Sequence, residues 1–132
     1  MLIEQAILKE LVGSSGITDL VGERIHYVKA PQDVEAPYIV FFKVSSPREH
    51  SHDGASGLAR ARFQFSCFAD SYYEAKQIVI AIQSAIQAFS GIMGGAGGVN
   101  VEGCFYADET DLYEDKVAIY HIAVDFLLAY EE

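Results

Sequence analysis

Positive charge is scarce in this chain. Nine lysines and arginines stand against nineteen aspartates and glutamates, for a formal net charge of -10. Such a surface repels phosphate and lacks the clustered Lys and Arg that a nucleic-acid reader needs, so that class of function is excluded. A protein that lets DNA slide past without gripping it is not excluded. Cysteine is nearly absent. Cys67 and Cys104 cannot make a disulfide framework, and two buried thiols in a reducing cytosol is the expected state. Long hydrophobic runs are missing as well. The longest mainly apolar segment, Ile78 to Phe89, contains Gln83, Ser84 and Gln87 and is too short to span a bilayer. No basic n-region followed by an apolar h-region opens the sequence, so no signal peptide is expected. Together these absences predict a soluble intracellular protein with no membrane contact.

What is present is globular in character. Hydrophobic residues make up 51% and charged residues 21%, which excludes a disordered chain. At 132 residues a single domain over 1–132 is expected, large enough to bury a core without staples. The opening "MLIEQAILKELVGSSG" spaces Ile3, Ala6, Ile7 and Leu11 as one face of a helix, stopped by Gly13 and Gly16. "ITDLVG" reads as one helical turn ended by Gly22, and "RIHYVKA" as a short strand. After a turn-rich stretch from Pro31 to Pro37, "YIVFFKVSS" is a strand with apolar residues on both faces. "LARARFQFSCFA" alternates cleanly, with Ala59, Ala61, Phe63, Phe65 and Cys67 on one face and Arg60, Arg62, Gln64 and Ser66 on the other.

Ser71 and Glu74 have the spacing of a capping box at the head of "SYYEAKQIVIAIQSAIQAFSG". The stripe Ala75, Ile78, Val79, Ile82, Ala85, Ile86 and Phe89 makes that segment a long amphipathic helix, expected to stop at Gly91. "GIMGGAGGVN" reads as a flexible glycine-rich loop. "VNVEGCFY" follows as a strand with a bulge near Gly103. "VAIYHIAVDFLLAY" closes the chain as a strand with Tyr120, Ile122, Val124, Phe126 and Leu128 on one face and His121, Ala123 and Asp125 on the other. The predicted fold is α+β in two layers. It has a mostly antiparallel sheet of four to five strands packed against one long helix, plus an N-terminal helix.

Four groups of residues invite a chemical reading. His50, His52 and Asp53 fall within "REHSHDGASG", but adjacent positions of an extended chain point to opposite faces. No helix-borne His pair or Cys-x-x-Cys supports a metal there, and Asp-Gly and Ser-Gly mark a solvated turn. The glycine-rich loop lacks the Gly-Lys-Ser/Thr ending of a phosphate loop, and no G-x-S-x-G elbow occurs. No cofactor and no catalytic residue is therefore expected. The run "ADETDLYEDK" places Asp108, Glu109, Asp111, Glu114 and Asp115 together without calcium-loop spacing, and it reads as a solvated hairpin connection. Its functional alternative is an electronegative patch that meets a basic partner or keeps DNA from sticking. Arg60 and Arg62 share a strand face with Gln64. They suit either an exposed cross-strand pair with Asp125 or His121, or packing against another subunit.

The sequence as a whole resembles the tail-completion, or head-to-tail joining, proteins of long-tailed bacteriophages. The resemblance runs through an N-terminal helix, "LVGERIHYVKAPQDVEAPYIVFFKVS", "HDGASGLARARFQFSCFADSYYEAKQI" and "DLYEDKVAIYHIAVDFLLAY", nearly the whole chain. It implies a structural tail-terminator protein without chemistry, assembled in the host cytoplasm into the virion neck. Such proteins form a ring, commonly of six copies, on the head-proximal end of the tail tube. The ring ends tube polymerisation and faces the head-tail connector or stopper protein, while DNA passes through without specific binding. Under this resemblance His50, His52, Asp53, Arg60, Arg62 and Gln64 are expected at contacts with neighbouring subunits or a partner ring. The acidic run is expected at a lumen or partner surface. The competing expectations are a head-side adaptor or stopper of the neck, and a small metal-dependent hydrolase or binding module using His50, His52 and Asp53.

Overall fold

The computed structural model describes residues 1–47 and 57–131. Helix α1 (Ile3–Val12) buries the stripe its spacing predicts, Ile3, Ala6, Ile7 and Leu11, and Gly13 caps it. The single turn expected next is a helix of two turns, α2 (Ser15–Val21), because Ile17 and Val21 are drawn fully into the core. It packs on both α1 and α3 (Tyr72–Ile86). Ser71 Oγ accepts a hydrogen bond from the Glu74 N–H at 3.1 Å, which fixes where α3 begins. Five residues of its expected stripe, Ala75, Ile78, Val79, Ile82 and Ile86, are buried, while Ala85 is half-buried and Phe89 falls beyond the helix end. The helix stops short of Gly91. Ala88 turns to a left-handed φ of 61°, and its N–H donates to the Cys104 carbonyl at 2.8 Å, a tertiary bond that competes with another helical turn.

Among the described residues six strands form one sheet in the order β1-β2-β3-β6-β5-β4, where four to five were expected. They are β1 (Ile25–Tyr27), β2 (Tyr38–Ser45), β3 (Leu58–Ala69), β4 (Gly91–Met93), β5 (Val99–Glu114) and β6 (Ile119–Glu131). The β1–β2 pair is parallel and every other pair is antiparallel, so the sheet is mixed. The added strand comes from the stretch read as a flexible loop. Gly91–Met93 pairs with Val99–Val101, and Met93 is fully buried. Gly94 turns the chain with φ +91°, and a Cβ there would stand 2.9 Å from the Ala6 Cα, so only glycine lets the turn lie against α1.

The three helices share one face of the sheet. Ile39, Phe41, Phe63, Phe65, Cys67, Ile122, Val124, Phe126 and Leu128 meet α1, α2 and α3 in a single core. Inside it Phe65 lies parallel to Phe41 at 5.6 Å between ring centroids and edge-on to Phe126 at 5.8 Å. Lys43 lies on this side too, near its rim. Its Nζ reaches Glu4 Oε1 of α1 at 2.9 Å and stands 5.7 Å from the centre of the Phe63 ring. Both cysteines are free and buried, which pushes the Cys104 thiol up to about 12 and raises that of Cys67 as well. Thiols held in that state are poor nucleophiles.

Candidate interaction surface

Among the described residues no helix lies over the opposite face of the sheet. The strand registers lay its side chains out in rows. Tyr38, Phe68, His121 and Leu112 make one row, and Val40, Ser66, Ala123 and Thr110 the next. Phe42, Gln64, Asp125 and Asp108 make a third; Arg62, Leu127 and Phe105 make a fourth. Arg60, exposed and paired with Ala129, lies beyond Arg62. The middle rows are sheltered: Val40, Ser66, Ala123 and Asp125 are all buried, and Val40 and Ala123 stand outside the helix-side core. Short side chains flanked by a stacked aromatic row explain the shelter. Tyr38 stacks on Phe68 at 4.6 Å and Phe68 on His121 at 4.2 Å. At the other end of the face Phe105 and Leu127, a registered pair, are 60% and 45% exposed.

Of the two readings of Arg62, the cross-strand pair is present. Its Nε donates to Asp125 Oδ2 at 2.8 Å, reaching diagonally across β3 to β6, and its Nη2 is 3.9 Å from Asp108 Oδ2. The register sets Asp108 directly opposite Asp125, a like-charge pair that is unfavourable unless a cation bridges it. One guanidinium therefore serves two carboxylates, and it does so incompletely. Four buried side-chain atoms have no hydrogen-bond partner among the described residues: His26 Nε2, His121 Nδ1 and Nε2, and Asp125 Oδ1. His26, in register with Val40, shares the open face with His121 and Asp125. Unpaired buried polar atoms are uncommon in a finished structure, so their concentration on one uncovered face singles that face out.

The acidic run is not a hairpin connection. β5 continues as strand to Glu114, and the turn is confined to residues 115–118. Local composition argues against a strand here, but pairing with β6 decides otherwise, as in the Tyr113–Tyr120 ring contact at 4.9 Å. Strand alternation then divides the acids. Glu109 and Asp111 face the helix side, where Lys76 pairs with Glu109 and the Tyr72 hydroxyl donates to Asp111 at 3.1 Å. Asp108 and Glu114 face the open side, and Asp115 begins the turn. His50, His52 and Asp53 lie outside the described residues. Among the described residues no three His, Cys, Asp or Glu side chains are grouped to hold a metal ion, and no helix is long and apolar enough to cross a membrane.

His121 gives this face a pH dependence. Burial pulls its pKa below the ordinary 6.5, with Glu114 opposing in part. The folded state thus favours the neutral ring. Stability is complete above about pH 6.5 and falls as acidification protonates the unfolded chain first. Urea midpoints between about pH 7.5 and 5.5 should therefore drop for the natural protein and drop less for His121→Phe. Equal slopes in the two proteins would show that His121 contributes nothing to the effect.

A family profile described as "Tail completion protein gp17" matches residues 5–131. Among solved structures, a chain from the "virion of native gene transfer agent (GTA) particle" superposes with a TM-score of 0.76 at 17% identity, covering 97% of this chain and 94% of that one. A second solved chain gives a TM-score of 0.66 at 13% identity, covering 98% and 94%. These similarities establish a shared fold. No curated protein sequence matches. With a profile spanning nearly its whole length, this chain belongs to the tail completion proteins, a family of structural components of bacteriophage tails.

Proposed function

We propose that the protein forms a closed ring, of six copies, at the head-proximal end of the phage tail tube. There it ends tube polymerisation and joins the tail to the head-side connector or stopper, while DNA passes through the centre. The observation that carries this reading is the family match over residues 5–131. The uncovered sheet face supports it. A head-to-tail ring needs two different exposed surfaces on each copy, and the sheet face with polar atoms left to pair can serve as one of them. The net charge of -10 suits the wall of a channel through which DNA must move without sticking. No chemistry is assigned to the protein. The neck of the virion is its proposed site and the host cytoplasm its place of assembly.

Arg60, Arg62 and Gln64 are proposed to lie at the subunit boundary, with His50, His52 and Asp53 contributing from the preceding segment on sequence grounds alone. Arg60→Glu is expected to leave the far-ultraviolet circular dichroism unchanged and to abolish rings in native mass spectrometry. Rings of normal size from that variant would remove Arg60 from the boundary. Deleting residues 49–56 should likewise give a folded protein that does not complete tails. The role itself is tested by a phage lacking the gene. Tails of uncontrolled length, unattached to heads and restored by added protein, are expected; normal joined tails without it would end the proposal.

A further inference from the structure

β5 is a long strand with a largely vacant side. β4 pairs with it only over Val99–Val101, and the Ala88 N–H takes the Cys104 carbonyl. From Phe105 to Glu114, among the described residues, the only strand beside it is β6. A bare edge of this kind is a template for another strand. Two features keep it from pairing with itself. The ladder shifts register between Tyr106 and Asp108, where Asp108 Oδ1 accepts the neighbouring Glu109 N–H at 2.8 Å. The segment also carries Asp108, Glu109, Asp111 and Glu114 and no cation, so two copies aligned on this edge would set carboxylate against carboxylate. The sheet's other edge, β1, is three residues long and offers no matching basic strand.

The buried carboxylate beside this edge points the same way. Asp125 is only 7% exposed, one oxygen is held by Arg62, and among the described residues Oδ1 has no partner on the open face, directly across from Asp108. The site is short of one cation. We propose that a basic, extended segment of a different protein adds as a strand along Thr110–Glu114. One of its Arg or Lys side chains would cross the open face, past Asp108, to Asp125 Oδ1. Neighbouring strands lie about 4.8 Å apart and the Thr110 row is next to the Asp108–Asp125 row, so a long cationic side chain opposite Thr110 is placed to reach diagonally over β5 toward β6. Main-chain hydrogen bonds would supply affinity and the carboxylates the choice of a basic sequence. This inference stands on the strand edge and does not require the ring.

The test uses the whole protein and a synthetic peptide of alternating arginine and valine. Binding should slow amide hydrogen exchange in residues 110–114. Asp108→Asn and Glu114→Gln, both on exposed side chains, should each weaken binding by roughly fivefold to tenfold, as loss of one solvent-exposed hydrogen-bonding contact does. Asp125→Asn should weaken it further. The same peptide N-methylated on alternate residues, and a glutamate–valine peptide, should not bind. Three results would overturn the proposal. One is equal binding by the N-methylated peptide, which would mean attraction by charge alone. Another is unchanged affinity in the Asp108 and Glu114 variants. The third is protection of residues 110–114 when the protein alone is concentrated, which would give the edge to a second copy.

Discussion

Phe65→Ala is expected to cost about 4 kcal/mol of folding stability. Phe65 is wholly buried at the middle of β3, a strand with neighbours on both sides. Its ring touches Phe41 and Phe126 on those neighbours. Removing it opens a cavity that three strands and α3 cannot close without breaking the ladder, so the loss combines transfer and cavity costs. Since small domains are stable by only about 5–15 kcal/mol, the variant should be close to unfolding at ordinary temperature. Phe105→Ala is the matched control. Phe105 is the same residue type on the same sheet, but it is 60% exposed, in register with Leu127 and lying over Gly103, so its loss should cost less than about 1 kcal/mol. Urea denaturation of the two variants checks the contrast, and similar losses would mean that the helix-side core has been wrongly located.

Arg62→Met should destabilise the protein by about 2 kcal/mol, and the partner change should recover most of that. The guanidinium is about one-third exposed while the Asp125 side chain is 11% exposed, so the pair is neither a surface bridge nor a dry one. Taking away the cation leaves a mostly buried carboxylate with no partner on either oxygen, next to Asp108. That penalty runs to about 3–5 kcal/mol when burial is complete and less when water can reach the group. Adding Asp125→Leu to Arg62→Met removes the stranded charge, so the double variant should be more stable than Arg62→Met alone. A double-mutant cycle by thermal unfolding measures this. Additive losses would mean that the two side chains do not depend on each other.

Periodicity made much of this fold readable. The stripe of α3 and the alternation of β3 and β6 are set by burial on one side, and burial repeats at the element's own period. The Arg62–Asp125 pair was open to reading as one alternative for the same reason, since each residue lies on the polar face of its strand, but alternation alone did not choose between Asp125 and His121. What was not readable depended on distant partners. Gly91–Met93 is a strand because Val99–Val101 lies beside it, and α3 ends at Ile86 because the next residues turn to meet Cys104. The acids of β5 have poor strand propensity, yet β6 holds them in register through Glu114. That non-local pairing also decided the fate of the acidic patch. A run that looks like one charged surface in sequence becomes two half-runs on opposite faces, one engaged by α3 and one beside the open sheet.

The same geometry frames the functional account. Among the described residues the sheet is covered by helices on one side and gathers its unpaired polar atoms on the other, and that second side is the one proposed to meet another molecule. Membership of the tail completion family supplies the setting in which that happens, and the ring is the proposed form.

Cryo-electron microscopy of the neck of the assembled particle would show both the ring and what covers its sheet faces. One closed ring of this α+β fold is expected, six copies around the channel, between the last ring of the tail tube and the head connector. In it the helix-free sheet faces are covered and Asp125 is in contact with a cationic group. A neck reconstruction in which this fold is missing, or in which it sits elsewhere with its open sheet face bare, would contradict the proposed ring.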